Sequence, residues 1–282
     1  MTKSLSKITI IGLGLIGGSI VKALKEAGFD GEVVGIDADL TAVAYGLQNK
    51  LITCGGTQVN DLVKGSDLVV LATHLRFFEE SIEALLKIDP TILVTDVGSV
   101  KSCDVIRKFV IEDGLRFIGG HPLAGSEKIG IRNADASLFL GKPYYVLPYE
   151  NEDADTSCVL ELVELIGGQA FVMDEIEHDK LVSFTSHIPH LLAALQVNLL
   201  AKCSYNNVID HVGGGFKDAT RIAASSPDLW ADIMIFNKKE ILLQIEHIQS
   251  EMAHLSEVLS NKDRTAVYDF FDQASKVRNQ IN

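Results

Sequence analysis

Ile8-Thr9-Ile10-Ile11-Gly12-Leu13-Gly14-Leu15-Ile16-Gly17-Gly18-Ser19-Ile20-Val21 is the stretch whose reading decides the fold. Ile8–Ile11 is a short β-branched run bounded by glycine, as a buried strand requires. The glycines at 12, 14 and 17 then interrupt any continuous apolar helix, and residues 17–26 resume with helical periodicity. Strand, glycine turn and helix in this order open a dinucleotide-binding βαβ unit. Gly12 permits the tight turn, Gly14 lets backbone approach a pyrophosphate, and Gly17 lets the helix pack closely on the strand. The helix N-terminus offers unpaired N–H groups to the anion. Asp37 follows at the end of the next strand, where a carboxylate accepts bonds from the adenosine ribose hydroxyls and repels a 2′-phosphate. The expected cofactor is therefore NAD rather than NADP, held by Gly12, Leu13, Gly14, Leu15, Ile16, Gly17 and Asp37. The competing reading is a glycine-rich turn that binds nothing.

Outward from this unit, further β-branched runs occur at 32–36, 68–71, 92–96, 116–119, 144–147 and 170–173. Amphipathic stretches at 78–87, 105–111 and 156–166 alternate with them. That alternation predicts a parallel, doubly wound α/β sheet of Rossmann type over residues 1–173. After 174 strand signals stop, and residues 174–282 read as an all-α domain. Within it Ser226-Pro227-Asp228 is a helix start, with a capping hydroxyl and proline in the first turn. Ile241, Ile245, Ile248, Met252, Leu255 and Leu259 form a seam that faces another helix, either of the same chain or of a second subunit.

The 282 residues are 47% hydrophobic and 22% charged, the balance of a folded domain rather than a disordered chain. Acidic residues outnumber basic ones 38 to 25, for a net charge of −13. A surface of that sign repels nucleic acid and anionic lipid, so neither is an expected partner. A small anionic substrate would need positive groups gathered locally. Cys54, Cys103, Cys158 and Cys203 are widely spaced, without metal-site or disulfide patterning, which suggests a reducing cytoplasm. Glycines break the apolar stretch at 7–21, so it does not read as a secretion signal.

Beyond the glycine turn, three further segments carry chemistry. Asp96-Val97-Gly98-Ser99-Val100-Lys101 follows a strand end, where open α/β sheets bind ligands. Ser99 and Lys101 there face the nicotinamide, or Ser99 caps the next helix. Gly119-Gly120-His121-Pro122-Leu123-Ala124-Gly125-Ser126-Glu127-Lys128 sets one imidazole among permissive glycines. With an ordinary pKa of about 6.5, His121 suits taking a proton from an alcohol as hydride leaves its carbon; the alternative is a histidine that fixes a loop. In the helical half, His187 and His190 share a helix face, and Pro189 between them is expected to kink it. No Glu or Cys nearby completes a ligand set, so no metal is expected. Gly213-Gly214-Gly215 precedes a helix with Lys217 and Arg221, an arrangement for an anion in which Arg221 gives bidentate recognition of a carboxylate.

These segments together resemble the prephenate and arogenate dehydrogenase family of tyrosine biosynthesis, nearly end to end. The resemblance rests on Gly-Leu-Gly-Leu-Ile-Gly-Gly-Ser at 12–19, Asp-Val-Gly-Ser-Val-Lys at 96–101 and His-Pro-Leu-Ala-Gly-Ser-Glu at 121–127. Ser-His-Ile-Pro-His at 186–190 and Gly-Phe-Lys-Asp-Ala-Thr-Arg at 215–221 complete it. It implies NAD-dependent oxidative decarboxylation of a cyclohexadiene dicarboxylate, with an intertwined homodimer formed through the helical domain. By position His121 matches the catalytic histidine and Ser99 the serine beside it. Arg221 matches the carboxylate-binding arginine, and His190 and His187 match substrate-domain histidines. Ser126 and Glu127 match a loop bordering substrate, and Asp218, beside Lys217, orients one of these groups. At Ala72-Thr73-His74-Leu75-Arg76 the family more often has proline, so the loop beside the nicotinamide ribose, where Thr73 stands, departs from the pattern. Arg76 in it is either a second anion contact or a solvated arginine. The chain is expected to leave no room for a further regulatory domain, so any feedback by tyrosine would have to act at the active site itself.

Two rival readings share the two-domain build. One is a 3-hydroxyacid dehydrogenase with Lys180 as acid/base. The other is an NAD-binding sensor without chemistry. If His121 is the base, kcat/KM is expected to fall as pH drops through that histidine's pKa, and a flat profile from pH 5 to 8 would remove the role.

Overall fold

The computed structural model describes residues 5–101, 104–126, 128–149 and 153–281. In chain order, the α/β part comprises β1 (Lys7–Ile11), α1 (Leu15–Glu26), β2 (Glu32–Ile36), α2 (Leu40–Gln48), β3 (Cys54–Gly56), β4 (Leu68–Leu71) and α3 (Phe78–Ile88). It continues with β5 (Val94–Asp96), α4 (Asp104–Arg107), β6 (Phe117–Pro122), β7 (Pro143–Leu147), α5 (Asp153–Leu165) and β8 (Gln169–Val172). The strands form one sheet in the order β3-β2-β1-β4-β5-β6-β7-β8. β1 pairs in parallel with β2 on one side and β4 on the other. The strand order thus reverses at β1, the switch point where such sheets bind ligands.

Alternation along the strands supplies both cores. Ile8 and Ile10 of β1 and Leu68 and Val70 of β4 pack on one face with Ile20 and Leu24 of α1. Ile11, Val69 and Leu71 pack on the other with Phe78, Ile82 and Leu85 of α3. Both faces are covered, so the strands read as near-continuous apolar runs.

The sheet is not wholly parallel: β7 runs antiparallel to β6, and β8 is parallel to β7. A parallel return would need a crossover helix. Among the described residues between Pro122 and Pro143 there is only a short 3-10 turn at Ile131–Asn133. β3 is absent from the strands expected from sequence, because Cys54-Gly55-Gly56 has neither length nor β-branching to announce it.

The helical part begins with α6 (Glu175–Val182), α7 (Ile188–Ala201), α8 (Gly214–Thr220) and α9 (Pro227–Phe236). Asp174 caps α6 by accepting from the Ile176 and Glu177 N–H groups at 2.8 and 3.1 Å. A widened π turn, Ser183–His187, joins α6 to α7, and Pro189 lies in the first turn of α7. Proline lacks the N–H that the Thr185 carbonyl would receive, so the helix accommodates it by widening rather than by breaking. Ser226 caps α9 as its sequence predicts.

The chain divides into two compact units, Met1–Asn237 and Lys238–Asn282, so α6 to α9 belong with the sheet. The second unit is α10 (Lys238–Ser260) and α11 (Arg264–Arg278), joined by a turn in which Lys262 has φ 54° and Asp263 caps α11. Among the described residues no helix is long and apolar enough to cross a membrane.

The loop after β4, Ala72 to Arg76, touches α9. Arg76 Nη1 lies 3.2 and 3.3 Å from the two Asp232 carboxylate oxygens and 3.6 Å from Asp228. His74 Nδ1 is 3.6 Å from Asp232. Arg76 is exposed, yet it is paired rather than free, because the nearly buried Asp232 carboxylate requires a counter-charge. Arg76→Ala is expected to cost about 0.5–1 kcal/mol in urea denaturation, and little or nothing further in an Asp232→Ala background. Additive losses would show that the pair is not coupled.

Candidate active site

At the switch point, Gly12 has φ 100°, and a Cβ there would lie 2.5 Å from the Ala72 carbonyl oxygen and 3.0 Å from Thr73 Cγ2. A Cβ on Gly17 would lie 1.9 Å from the Gly12 oxygen. Strand, turn and helix meet too closely here for any side chain. Gly14 differs, because a Cβ there meets nothing within 4 Å. It is the N-cap of α1 and gives no side-chain cap, so the helix N-terminus opens onto free space. Asp37 is pinned beside it, accepting from the Leu13 N–H at 2.6 Å and the Asp39 N–H at 2.8 Å. Its remaining lone pairs are available to hydroxyl donors. An open anion-facing helix end with a fixed carboxylate alongside fits the pyrophosphate and ribose of NAD.

Next along the sheet edge, Asp96 is wholly buried. It accepts from the Gly98 N–H at 2.8 Å and the Gly120 N–H at 3.0 Å, and it pairs with the Lys101 ammonium. Lys101 is fully buried too, so the sequence expectation that it faces the nicotinamide is corrected: a carboxylate sealed at a strand end turns the lysine inward. Ser99 remains half-exposed on this loop, and α4 starts at Asp104, too far on for Ser99 to cap it.

His121 ends β6 with 7% of its surface exposed. Its Nδ1 lies 2.8 Å from His178 Nε2, and His178 Nδ1 lies 2.8 Å from Asp179 Oδ1. The same Asp179 oxygen accepts from the Lys101 N–H at 2.9 Å. Burial pushes the His121 pKa well below the ordinary 6.5, with further depression from His178, Lys101 and His187. Burial also lowers that of His178, against the opposing pull of Asp179. The acid fall expected of His121 is therefore displaced below the ordinary histidine pKa, since an imidazolium here loses its hydration. His178 and Asp179 were not singled out from sequence, because adjacent polar residues on a helix read as a solvated face.

The helical segments supply the other wall. His187 is buried, its Nδ1 is 3.1 Å from Asn237 Nδ2, and that amide also donates to the Asp179 carbonyl at 3.0 Å. Burial holds the His187 pKa at about 4. His190 stacks on Trp230, with ring centroids 3.7 Å apart and 24° between planes, while His187 meets the same indole edge-on. His190 Nδ1 donates to the Ser186 carbonyl at 3.0 Å. Burial, together with the charge of nearby Arg221, lowers its pKa. Neutral His121 and His187 thus lie within electrostatic reach of each other, and His190 links them to an exposed Arg221.

Lys217 and Asp218 are exposed on α8, behind exposed Gly213, Gly214 and Gly215. Ser126 is exposed on the loop after β6, where its hydroxyl accepts from the Lys128 N–H at 3.3 Å. Glu127 lies outside the described residues, as does Cys103. Trp230 and Asn237 also escaped the sequence reading. Among the described residues no group of three or more His, Cys, Asp or Glu side chains is arranged to hold a metal ion.

Two family models match this chain. Residues 20–172 match the prephenate dehydrogenase nucleotide-binding domain, and residues 174–273 match the prephenate dehydrogenase dimerization domain. The prephenate dehydrogenase of Bacillus subtilis is 34% identical over 289 residues, covering 100% of this chain and 77% of that protein. The cyclohexadienyl dehydrogenase of Zymomonas mobilis is 31% identical, covering 96% of this chain and 94% of its own length. The solved prephenate dehydrogenase of Aquifex aeolicus, in complex with hydroxyphenyl propionate and NAD+, superposes with a TM-score of 0.93 at 30% identity, covering 100% of both chains. With both family models together spanning residues 20–273 and relatives above 30% identity over nearly the whole chain, the chain belongs to the prephenate dehydrogenase family.

Proposed function

We propose that this protein catalyses the NAD-dependent oxidative decarboxylation of prephenate to 4-hydroxyphenylpyruvate, of arogenate to tyrosine, or of both, in tyrosine biosynthesis. The observation that carries this reading is His121: a buried neutral imidazole at the ligand-binding edge of the sheet, facing a helical wall with His187, His190 and Arg221. Residues 1–173 form the cofactor half and 174–282 the substrate half. Gly12 to Gly17, Asp37 and Thr73 hold NAD, whose nicotinamide, when bound, takes the hydride from ring C4.

His121 takes the proton of the ring 4-hydroxyl as that hydride leaves. The bond pair to the ring carboxylate then passes into the ring as carbon dioxide departs, and His121 returns its proton to the aromatic oxygen. No net proton is consumed, so the base is regenerated at each turnover. Ser99 steadies the hydroxyl. Arg221 binds a substrate carboxylate bidentately, with His190 beside it and His187 in support, while Ser126, Lys217 and Asp218 border the pocket and Glu127 is assigned to substrate from its sequence motif alone. A homodimer is supported by the match of residues 174–273 to a dimerization domain and by exposed apolar Met252, Leu259 and Phe271. Free thiols at Cys54, Cys158 and Cys203 suit a reducing cytoplasm. Lys180, the acid/base of the 3-hydroxyacid dehydrogenase reading, is exposed on α6, which disfavours that alternative.

NADH formation assayed with prephenate, arogenate and 3-hydroxyisobutyrate tests the assignment. Turnover of either cyclohexadiene and not of the hydroxyacid is expected, and NAD binding without any turnover would leave only a sensor. Because His121 must be neutral and its pKa is depressed, kcat/KM is expected to stay level from pH 8 down through 6.5 and to fall only below it. An acid limb centred at or above 6.5 would remove His121 as the base. His121→Asn is expected to lower kcat about 10²- to 10⁴-fold with little change in KM. Arg221→Ala is expected chiefly to raise the substrate KM, by about tenfold or more, and an unchanged KM would misplace the anion site.

A further inference from the structure

We propose that His178 and Asp179 are positioning residues that fix the tautomer of His121, holding the proton on Nδ1 and leaving Nε2 as the base. The inference rests on the reading of His121 as the group that takes the substrate proton.

The hydrogen bonds leave one solution. Asp179 Oδ1 accepts from the Lys101 backbone N–H at 2.9 Å, and an amide N–H only donates, so this oxygen is committed as an acceptor. His178 Nδ1, 2.8 Å from the same oxygen, must then carry a hydrogen. A neutral imidazole holds one ring proton, so His178 Nε2 is a lone pair. Burial lowers the His178 pKa and so favours that neutral form. His121 Nδ1, 2.8 Å from that lone pair, must in turn be protonated. The only ring nitrogen of His121 left to accept a proton is Nε2, on the opposite edge of the ring. All three side chains are nearly or wholly excluded from water, so no solvent molecule competes for these bonds.

The arrangement is over-determined from both ends of the chain. Asp179 is fixed through its side chain by the loop after β5, and its carbonyl accepts from Asn237 Nδ2 at 3.0 Å. His121 is fixed by the pairing of β6 with β7, in which it lies opposite Tyr145. Tyr145 stands edge-on to His178, with ring centroids 5.4 Å apart, and tilted against His121 at 6.3 Å. The sheet thus supplies the base while α6 supplies the group that sets its tautomer. Productive chemistry therefore requires the two to be docked.

The wild-type enzyme, labelled with ¹⁵N-histidine, gives the first test without any substrate. The His121 resonances, assigned by loss in His121→Asn, are expected to show Nδ1 protonated and Nε2 unprotonated at pH 7.5; the reverse would overturn the proposal. The second test compares His178→Leu, which removes the acceptor, with His178→Gln, whose side-chain oxygen can take its place. The leucine variant is expected to lose the Nδ1–H signature and about 10²-fold in kcat, with the substrate and NAD KM values nearly unchanged. The glutamine variant is expected to restore both the signature and most of kcat. A leucine variant within about twofold of wild type, or a glutamine variant no better than leucine, would overturn the proposal. Because the spectrum needs no substrate, an Nδ1–H signature in an enzyme that turns over neither cyclohexadiene would support the tautomer assignment and overturn the functional reading alone.

Discussion

The active edge of the sheet is organised around the buried carboxylate of Asp96. It sits at the end of β5 and reaches in three directions, to the Gly98 N–H on the loop bearing Ser99, to the Gly120 N–H on the strand bearing His121, and to the Lys101 ammonium. Burying such a charge is costly unless its lone pairs are used and a counter-ion is at hand. Here both conditions are met, so the cost becomes a constraint that fixes the two loops relative to each other. Lys101 extends the constraint, because its backbone N–H binds Asp179 and its carbonyl accepts from the Tyr149 hydroxyl at 2.7 Å. Sheet and helical segment are thereby joined through buried polar groups.

That joining explains how a protein with a net charge of −13 can face anionic ligands. Its positive resources are placed locally. A helix N-terminus opens beside Gly14, and Arg221 stands near His190. The Lys101 charge is spent internally against Asp96, so it organises the site and pushes His121 toward its neutral form. The histidines lining the helical wall are likewise kept neutral by burial, which suits them to donate and accept hydrogen bonds rather than to act as cations.

A second tie crosses from the loop after β4 to α9, through Arg76 and Asp232. Trp230, on the same helix as Asp232, stacks on His190, so the tie and the histidine-lined wall share one element.

The dinucleotide cradle was legible in the sequence because its requirements are local. A positive φ at Gly12, open space at Gly14 and a close approach at Gly17 each demand glycine at a fixed place in a strand–turn–helix run. The strands β1, β2, β4, β5 and β6 were legible for a similar reason, since apolar residues have to serve two covered faces. The antiparallel turn of β7, the inward side chain of Lys101 and the partnership of Arg76 with Asp232 depend on contacts between distant segments. So does the His121–His178–Asp179 chain, whose first link spans 57 residues. The sequence by itself determined which residue types could bind a pyrophosphate, take a proton and grip a carboxylate. Only the tertiary structure decided their protonation and their partners, because burial and counter-charge are properties of the packed molecule and leave no periodicity in the chain.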